Sequence, residues 1–409
     1  MYKIVILVLF TKIKFISSVK NNVTISNGIA TALGTWPLRY TSKNMAVSTL
    51  PLRLALNKLA VAADGQTREQ LMTILGVDDV KDLPKFFPRL ENQIKCLRDS
   101  DLIMLNKIYV NQSDALSPSF FADSYHNFGV QVEKINFSSQ NPDGVVHFVN
   151  DWIEADSFKR ITNLLSNNDI KRHYNMILVN AIHMKPTWEK TFDIRMSVMK
   201  PFQYQNLTES APIRMMTEVE KDFYYYQDSK NKFQVLMIHL LCDGCKITYF
   251  LPNKVTGLPQ LLSLLTRNPD IMQNAVKNLK METLNVRLPV MKMKNAMNWN
   301  AYLHELGARK MFDYKSSGLD SMAQSTNYFL GKAIQKVFLE VDEFGVHRVA
   351  PHVPIALPEF KYKHTIPQFV ADHPFFFKVE IEENGISHEL LSGVFYGPEE
   401  DSLIRQKIA

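Results

Sequence analysis

The chain has 409 residues, 46% of them hydrophobic and 22% charged, with a formal net charge of +6. That balance excludes a disordered chain, and a chain this long buries enough apolar surface to fold without covalent staples. Lys and Arg are scattered with no long basic run, which argues against a nucleic-acid-binding module.

The N-terminus reads MYKIVILVLFTKIKFISSVKNN. Lys3 followed by the apolar run Ile4–Phe10, with the small residues Ser17 and Ser18 beyond it, predicts a signal peptide over residues 1–18. Lys12 and Lys14 interrupt the run, and no later stretch is long and apolar enough to span a bilayer. Sequons at Asn22, Asn111, Asn136 and Asn206 fit a secreted, extracellular glycoprotein.

Helices come first. VSTLPLRLALNKLAVAA, from Val47, is apolar on nearly every side, as a helix inside a large core must be. TREQLMTILG predicts a second helix with Thr67 as N-cap, Gln70 as its capping-box partner and Gly76 as terminator. Val145, Phe148, Val149, Trp152 and Ile153 form another stripe at helical spacing.

Strands follow. Met176–Met184 (MILVNAIHM) is a nearly continuous apolar run and reads as a central strand; ITYFLP, TLNVRLPV and KVFLEVDEF come after it. The sequence from Pro374 to Pro398 reads as a hairpin closing on Asn384-Gly385. Early helices, later antiparallel strands and no βαβ alternation predict an α+β domain.

Little chemistry is visible. Three cysteines, Cys96, Cys242 and Cys245, make no disulfide framework. Asp243-Gly244, set between two apolar runs, predicts a two-residue hairpin turn with Cys242 and Cys245 facing each other beside it, a structural placement that allows a local disulfide. With no second pair of ligands, no metal is expected there. His388-Glu389 begins a zincin-like motif, but Ser392 stands where the second histidine belongs, and the segment is a strand. No Gly-rich phosphate loop or Gly-x-Ser-x-Gly elbow occurs. Neither an enzyme nor a cofactor is expected.

Several segments, in register, resemble one family, the serpins. Asn44–Gly76 resembles that family's N-x-x-x-S-P-x-S…A…G-x-T…L-x-L-G stretch, and Val179–Trp188 (VNAIHMKPTW) its N-A-x-Y-F-K-G-x-W strand. Ile213–Met216 and Val286–Met293 match further strands, KVFLEVDEFG the segment leading into the reactive loop, and Ala371–Phe377 the strand after it. The resemblance implies one domain over about residues 25–400, with three β-sheets, eight or nine helices and an exposed reactive-centre loop at about 345–368. It also implies a monomer acting on a trypsin-like serine protease or another extracellular protein, with no role for nucleic acid or membrane. In inhibitory members a protease cuts the loop, which then enters the largest sheet as an extra central strand.

A central strand needs backbone N–H groups on both sides and side chains that alternate between the faces. In the family the inserting residues after the hinge glycine are small. Here Glu343 and Gly345 are followed by Val346, His347, Arg348, Val349, Ala350 and Pro351. Alternation from Val346 puts Arg348 and Ala350 inward; burying an unpaired Arg costs several kcal/mol, and Pro351, Pro354 and Pro358 each lack a ladder donor. The region over which the sheet must slide departs from the family as well. Thr49 and Pro51 replace its Pro and second Ser, Gln335 its His, Val290 the Lys that pairs with the hinge acid, and Pro186 its Gly; Ser48, Asn180 and Trp188 remain. The expectation is a serpin fold with degenerate moving parts, acting by binding a protein or ligand. The alternative is an inhibitor of trypsin-like proteases. Counting from Glu343 places its scissile bond near Glu359, and counting back from Pro374 places it near Lys363, with Lys361 and Lys363 as bait residues suited to an acidic specificity pocket.

Overall fold

The computed structural model describes residues 33–398, apart from 100, 113–114, 123, 138–141, 172, 206–209, 324–326, 346–365 and 384. Helix α1 (Thr49–Ala62) runs through the core, and every residue from Thr49 to Ala60 is buried. Its charges are met by aromatic faces: Arg53 lies 4.7 Å from the Phe86 ring, and Lys58 4.7 Å from Phe120. Helix α2 (Gly65–Leu75) ends, as expected, on Gly76, whose φ of 66° suits glycine. Its N-cap is Asp64, not Thr67. Thr67 is buried and bonds the Ser317 carbonyl, and Gln70 Oε1 accepts from Arg309 and Lys310 N–H at 3.0 and 2.9 Å, so tertiary contacts took both residues of the expected capping box.

A five-stranded sheet has the order β10 (Met291–Asn298), β11 (Lys332–Val341), β4 (Met176–Met184), β2 (Leu102–Asn111), β3 (Gln131–Ile135). β11 and β4 pair in parallel, as do β2 and β3. The expectation of antiparallel later strands therefore holds only in part. All nine residues of β4 are buried. Leu178, Ile182 and Met184 face the main core below, while Ile177, Val179 and Ala181 face a second cluster, with Val145, Val149 and Ile153 of helix α6 (Pro142–Asp156) and Ile161, Leu164 and Leu165 beyond it. A sheet covered on both faces needs apolar residues at every position, which is why β4 shows no alternation.

The larger sheet runs β1 (Met45–Val47), β14 (Ile386–Phe395), β13 (Phe375–Glu383), β8 (Cys245–Pro252), β7 (Phe233–His239), β6 (Ser210–Asp228), β9 (Lys280–Pro289), β12 (Gln368–Val370), with β5 (Val198–Gln203) on the first part of β6. A register shift between Glu218 and Lys221, where Glu220 adopts φ 50°, divides β6 into a part that pairs with β5 and a part that pairs with β7. β9 pairs with β6 on both sides of this shift, so the two parts remain one hydrogen-bonded sheet. The β13–β14 hairpin closes at Gly385 (φ 77°), with Glu383 opposite Ile386; Asn384 lies outside the described residues.

The cysteine pair departs from expectation. The β7–β8 ladder continues to Leu240 and Cys245, whose N–H and carbonyl bond at 2.8 Å, so the turn holds Leu241–Gly244 rather than two residues. Cys242 sits in that turn and is disulfide-bonded to Cys96 of α3 (Phe86–Asp99), with a Cα–Cα distance of 5.7 Å; Cys245 is a buried free thiol at the start of β8.

Candidate functional site: a closed strand pair and its hinge

Strands β4 and β11 are hydrogen-bonded neighbours from Lys332↔Ile177 to Leu339↔Met184. Parallel neighbours cannot be joined by a tight turn, and here a strand could be admitted between them only by breaking this whole ladder. On the core side the pair presents Asn180, Ile182 and Met184 from β4 and Gln335, Val337 and Leu339 from β11, all buried. On the other side Lys336 Nζ donates to the carbonyls of Thr162 and Asn163, and Lys332 Nζ pairs with Asp169 at 2.5 Å, so two lysines of β11 fasten residues 162–169 across the sheet. His183 and Phe338, opposite each other in the register, stack at 4.9 Å. Burial lowers the His183 pKa to about 4, and nearby Arg160 adds to the effect.

The middle of the pair is tied to the start of α1. The Gln335 side chain accepts from Ser48 N–H and donates to the Ser48 carbonyl, both at 2.8 Å. Ser48 Oγ donates to the Leu390 carbonyl of β14 at 2.6 Å. From β4, Asn180 Nδ2 donates to Asn106 Oδ1 at 2.6 Å, and Asn106 Nδ2 to the Pro51 carbonyl at 3.0 Å. Pro51 lies in the first turn of α1, where N–H groups have no helical acceptor, so the proline removes nothing. Thr49, Pro51 and Gln335, read from the sequence as signs of decay, stand in a packed and bonded arrangement.

At the far end of β11 the chain turns sharply. Asp342 Oδ1 accepts from the N–H groups of Phe344 and Gly345, at 3.0 and 2.8 Å, and Gly345 adopts φ 69°. A Cβ at Gly345 would lie 2.5 Å from the Pro186 carbonyl oxygen and 2.4 Å from Thr187 Cα, so only glycine fits. Trp188 Nε1 donates to the Asp342 carbonyl at 2.7 Å. The Glu343 side chain is 1% exposed; Ser197 Oγ donates to it at 2.7 Å, Arg214 Nη2 donates to it at 3.2 Å, and Arg214 Nε lies at 3.2 Å. The partner lost at Val290 is replaced by Arg214 on β6, whose carbonyl accepts from Val290 N–H at 2.9 Å.

Comparison with known proteins decides what this arrangement is. The family model described as serpin (serine protease inhibitor) matches residues 34–390. The chain is a serpin. Among curated relatives, antichymotrypsin-2 of Bombyx mori is 26% identical over 357 residues, 87% of this chain and 92% of the relative. The leukocyte elastase inhibitor of Sus scrofa is 26% identical, covering 87% of this chain and 93% of that protein. Serpin48 of the insect Tenebrio molitor superposes with a TM-score of 0.78 at 22% identity, over 92% of this chain and 98% of that one.

The serpin's expected site residues divide into two groups. Ser48, Pro51, Asn180, Trp188, Gln335, Glu343 and Gly345 come together around the β4–β11 pair. Val346, Arg348, Ala350, Pro351, Glu359, Lys361 and Lys363 lie outside the described residues, as do Asn22 and Asn206. Asn111 ends β2 and Asn136 follows β3, both partly exposed. Sequence reading missed Arg214, Ser197 and Asn106. Each acts from a strand or turn far along the chain, and no local pattern marks them.

Proposed function

We propose that this serpin works outside the cell as a monomeric binding protein, and that cleavage of its loop segment does not convert it into a trap. One observation carries the reading. On the core side the walls of the β4–β11 pair are apolar or hydrogen-bonded apart from Asn180 Oδ1, a neutral acceptor without a partner among the described residues, while the segment that would enter brings Arg348 inward and Pro351 into the ladder. Glu343, the buried acid at the hinge, is already engaged by Arg214 and Ser197. Incubation with trypsin tests it: the expected outcome is cleaved serpin and free protease, and an SDS-stable covalent complex would overturn it.

A second reading, inhibition of trypsin-like proteases with Lys361 or Lys363 as bait, is favoured by the intact bonding around the pair and by relatives named as inhibitors. The same gel separates the two. Secretion is supported by the Cys96–Cys242 disulfide, since such bonds persist in oxidising compartments. N-terminal sequencing of protein from culture medium is expected to show loss of about the first 18 residues; retention inside cells with Met1 intact would refute it.

A further inference from the structure

The Cys96–Cys242 bond joins two sulfurs in unlike surroundings. Cys96 is exposed on α3, whereas Cys242 is 2% exposed inside the Leu241–Gly244 turn. A dissolved thiolate can therefore approach only one of the two residues, and in exchange the sulfur that is not attacked is the one that leaves. The leaving side suits that role. The carbonyls of Gln93 and Asp243 lie 3.7 and 3.8 Å from Cys242 Sγ, near enough to accept from a thiol S–H once the bond opens.

Both joined elements are also held by other contacts. Leu90, Ile94 and Leu97 seat α3 in the main core. Phe87 of α3 meets the Tyr125 ring edge-on at 6.0 Å, on α5 (Ser124–Phe128), the short helix after α4 (Pro118–Phe121). In the turn, Cys245 N–H donates to the Cys242 carbonyl at 3.0 Å, and Leu240 N–H to the Cys245 carbonyl at 2.8 Å. That closure brings Cys245 within the Cα separation that a local disulfide with Cys242 requires. Burial, with Asp243 adding, pushes the Cys245 thiol up to about 12, so it stays protonated near neutral pH and does not displace Cys96. Opening is left to a thiol from solution.

We propose that this bond is a site of reversible uptake of a low-molecular-weight thiol, of the glutathione class, held on Cys96. The thiolate attacks Cys96 Sγ and forms a new S–S bond there. The Cys96–Cys242 bond breaks, and Cys242 leaves as a thiolate that takes a proton from water. One disulfide replaces another, with no net oxidation. In the reverse step Cys242 attacks Cys96 Sγ and expels the added thiol.

The test incubates the full chain in a mixture of reduced and oxidised glutathione, quenches in acid, and reads intact mass and peptide maps. One glutathione per chain is expected, on the peptide bearing Cys96, with Cys242 and Cys245 recovered as thiols. Melting should stay cooperative at a lower midpoint, because the bond no longer links residues 146 apart. After gel filtration the parent should lose the adduct and regain its bond. In Cys242→Ser, oxidised glutathione should load Cys96 and the adduct should persist. Cys96→Ser should take up none, since Cys242 and Cys245 are both buried. Cys96 is exposed, so its variant keeps the test open if Cys242→Ser fails to fold. An intact bond with no adduct, an adduct on Cys242 or Cys245, uptake only in denaturant, or an adduct that the parent retains after gel filtration would each overturn the proposal.

Discussion

The β4–β11 pair is held at two places, and the physics differs between them. At the middle, the neutral Gln335 amide closes both backbone groups of Ser48 in a site with no water access. At the hinge, a buried carboxylate, Glu343, is held by a guanidinium that is 41% exposed. The first tie depends on geometry and hardly on charge. The second depends on charge and on how well solvent screens it. Both keep their bonds.

The largest effect is expected at the neutral tie. Gln335→Ala leaves a buried N–H and a buried carbonyl unpaired at once, costing about 4 kcal/mol. Denaturant unfolding should show a lower midpoint at unchanged slope, and the loss should be the same at low and high salt. A loss that shrinks in salt would erase the contrast between the two ties.

Arg214→Ala should cost less, about 2–3 kcal/mol, because Arg214 is partly solvated and Ser197 remains on the carboxylate. This loss should diminish in salt. Val290 is hydrogen-bonded through its backbone to Arg214, so Val290→Lys in the Arg214→Ala background should recover part of the stability. No recovery would show that a lysine at position 290 does not reach the hinge acid.

A third, smaller effect titrates. Glu389 of β14 meets the start of α1, where Thr49 Oγ1 donates to its carbonyl at 3.3 Å. Burial pushes the Glu389 carboxyl up from 4.5 to about 7, with Lys378 pulling it back and Glu380 adding to the rise. The folded state then holds a proton that the unfolded state releases, so this group's contribution falls as pH rises from about 4.5 through 7. His388 opposes it: burial, then Arg53, depress its pKa from 6.5 to about 4, so its contribution is lost as pH falls across that window. Glu389→Gln should therefore gain about 1–2 kcal/mol over the parent at pH 8 and little at pH 5. Equal gains at both pH values would mean that the carboxyl does not titrate there.

What the sequence disclosed follows from how local each feature is. The continuous run Met176–Met184 announced a strand covered on both faces, Gly76 a helix end, and Asn384-Gly385 a hairpin, because each is written in adjacent residues. Ser48, Asn180, Gln335 and Glu343 could be placed by their register with a family pattern. Their partners could not. Arg214 replaces a lysine once expected at position 290, Gln335 uses both ends of its amide where a histidine was expected, and Cys242 reaches back 146 residues to Cys96. Such pairings are fixed by how the sheets pack, which neither periodicity nor turn chemistry records. The same blindness made Thr67 look like a cap when its hydroxyl was committed to Ser317.

The smallest expected change tests the whole comparison. Gly345 ends the hinge and Gln368 begins β12, which belongs to the other sheet, so the segment between them joins two sheets. Trypsin should cut at Lys361 or Lys363, and the freed end would then have to part the β4–β11 ladder to become a new strand. Parting it means separating two strands that are each tied to α1, one through Gln335 and Ser48, the other through Asn180 and Asn106. The entering segment must then offset that loss while burying Arg348 and omitting the donor at Pro351, each a cost of several kcal/mol or one missing bond. The balance should favour staying out, so the nicked protein should melt within a few degrees of the intact one. Replacing Arg348 and Pro351 by Ala removes both objections and leaves the two ties in place. If that variant gains stability on cleavage while the parent does not, the obstacle lies in the entering segment; if neither gains, it lies in the ties. A rise of tens of degrees in the unmodified protein would mean that the ladder opens after all, and would put the inhibitor reading first.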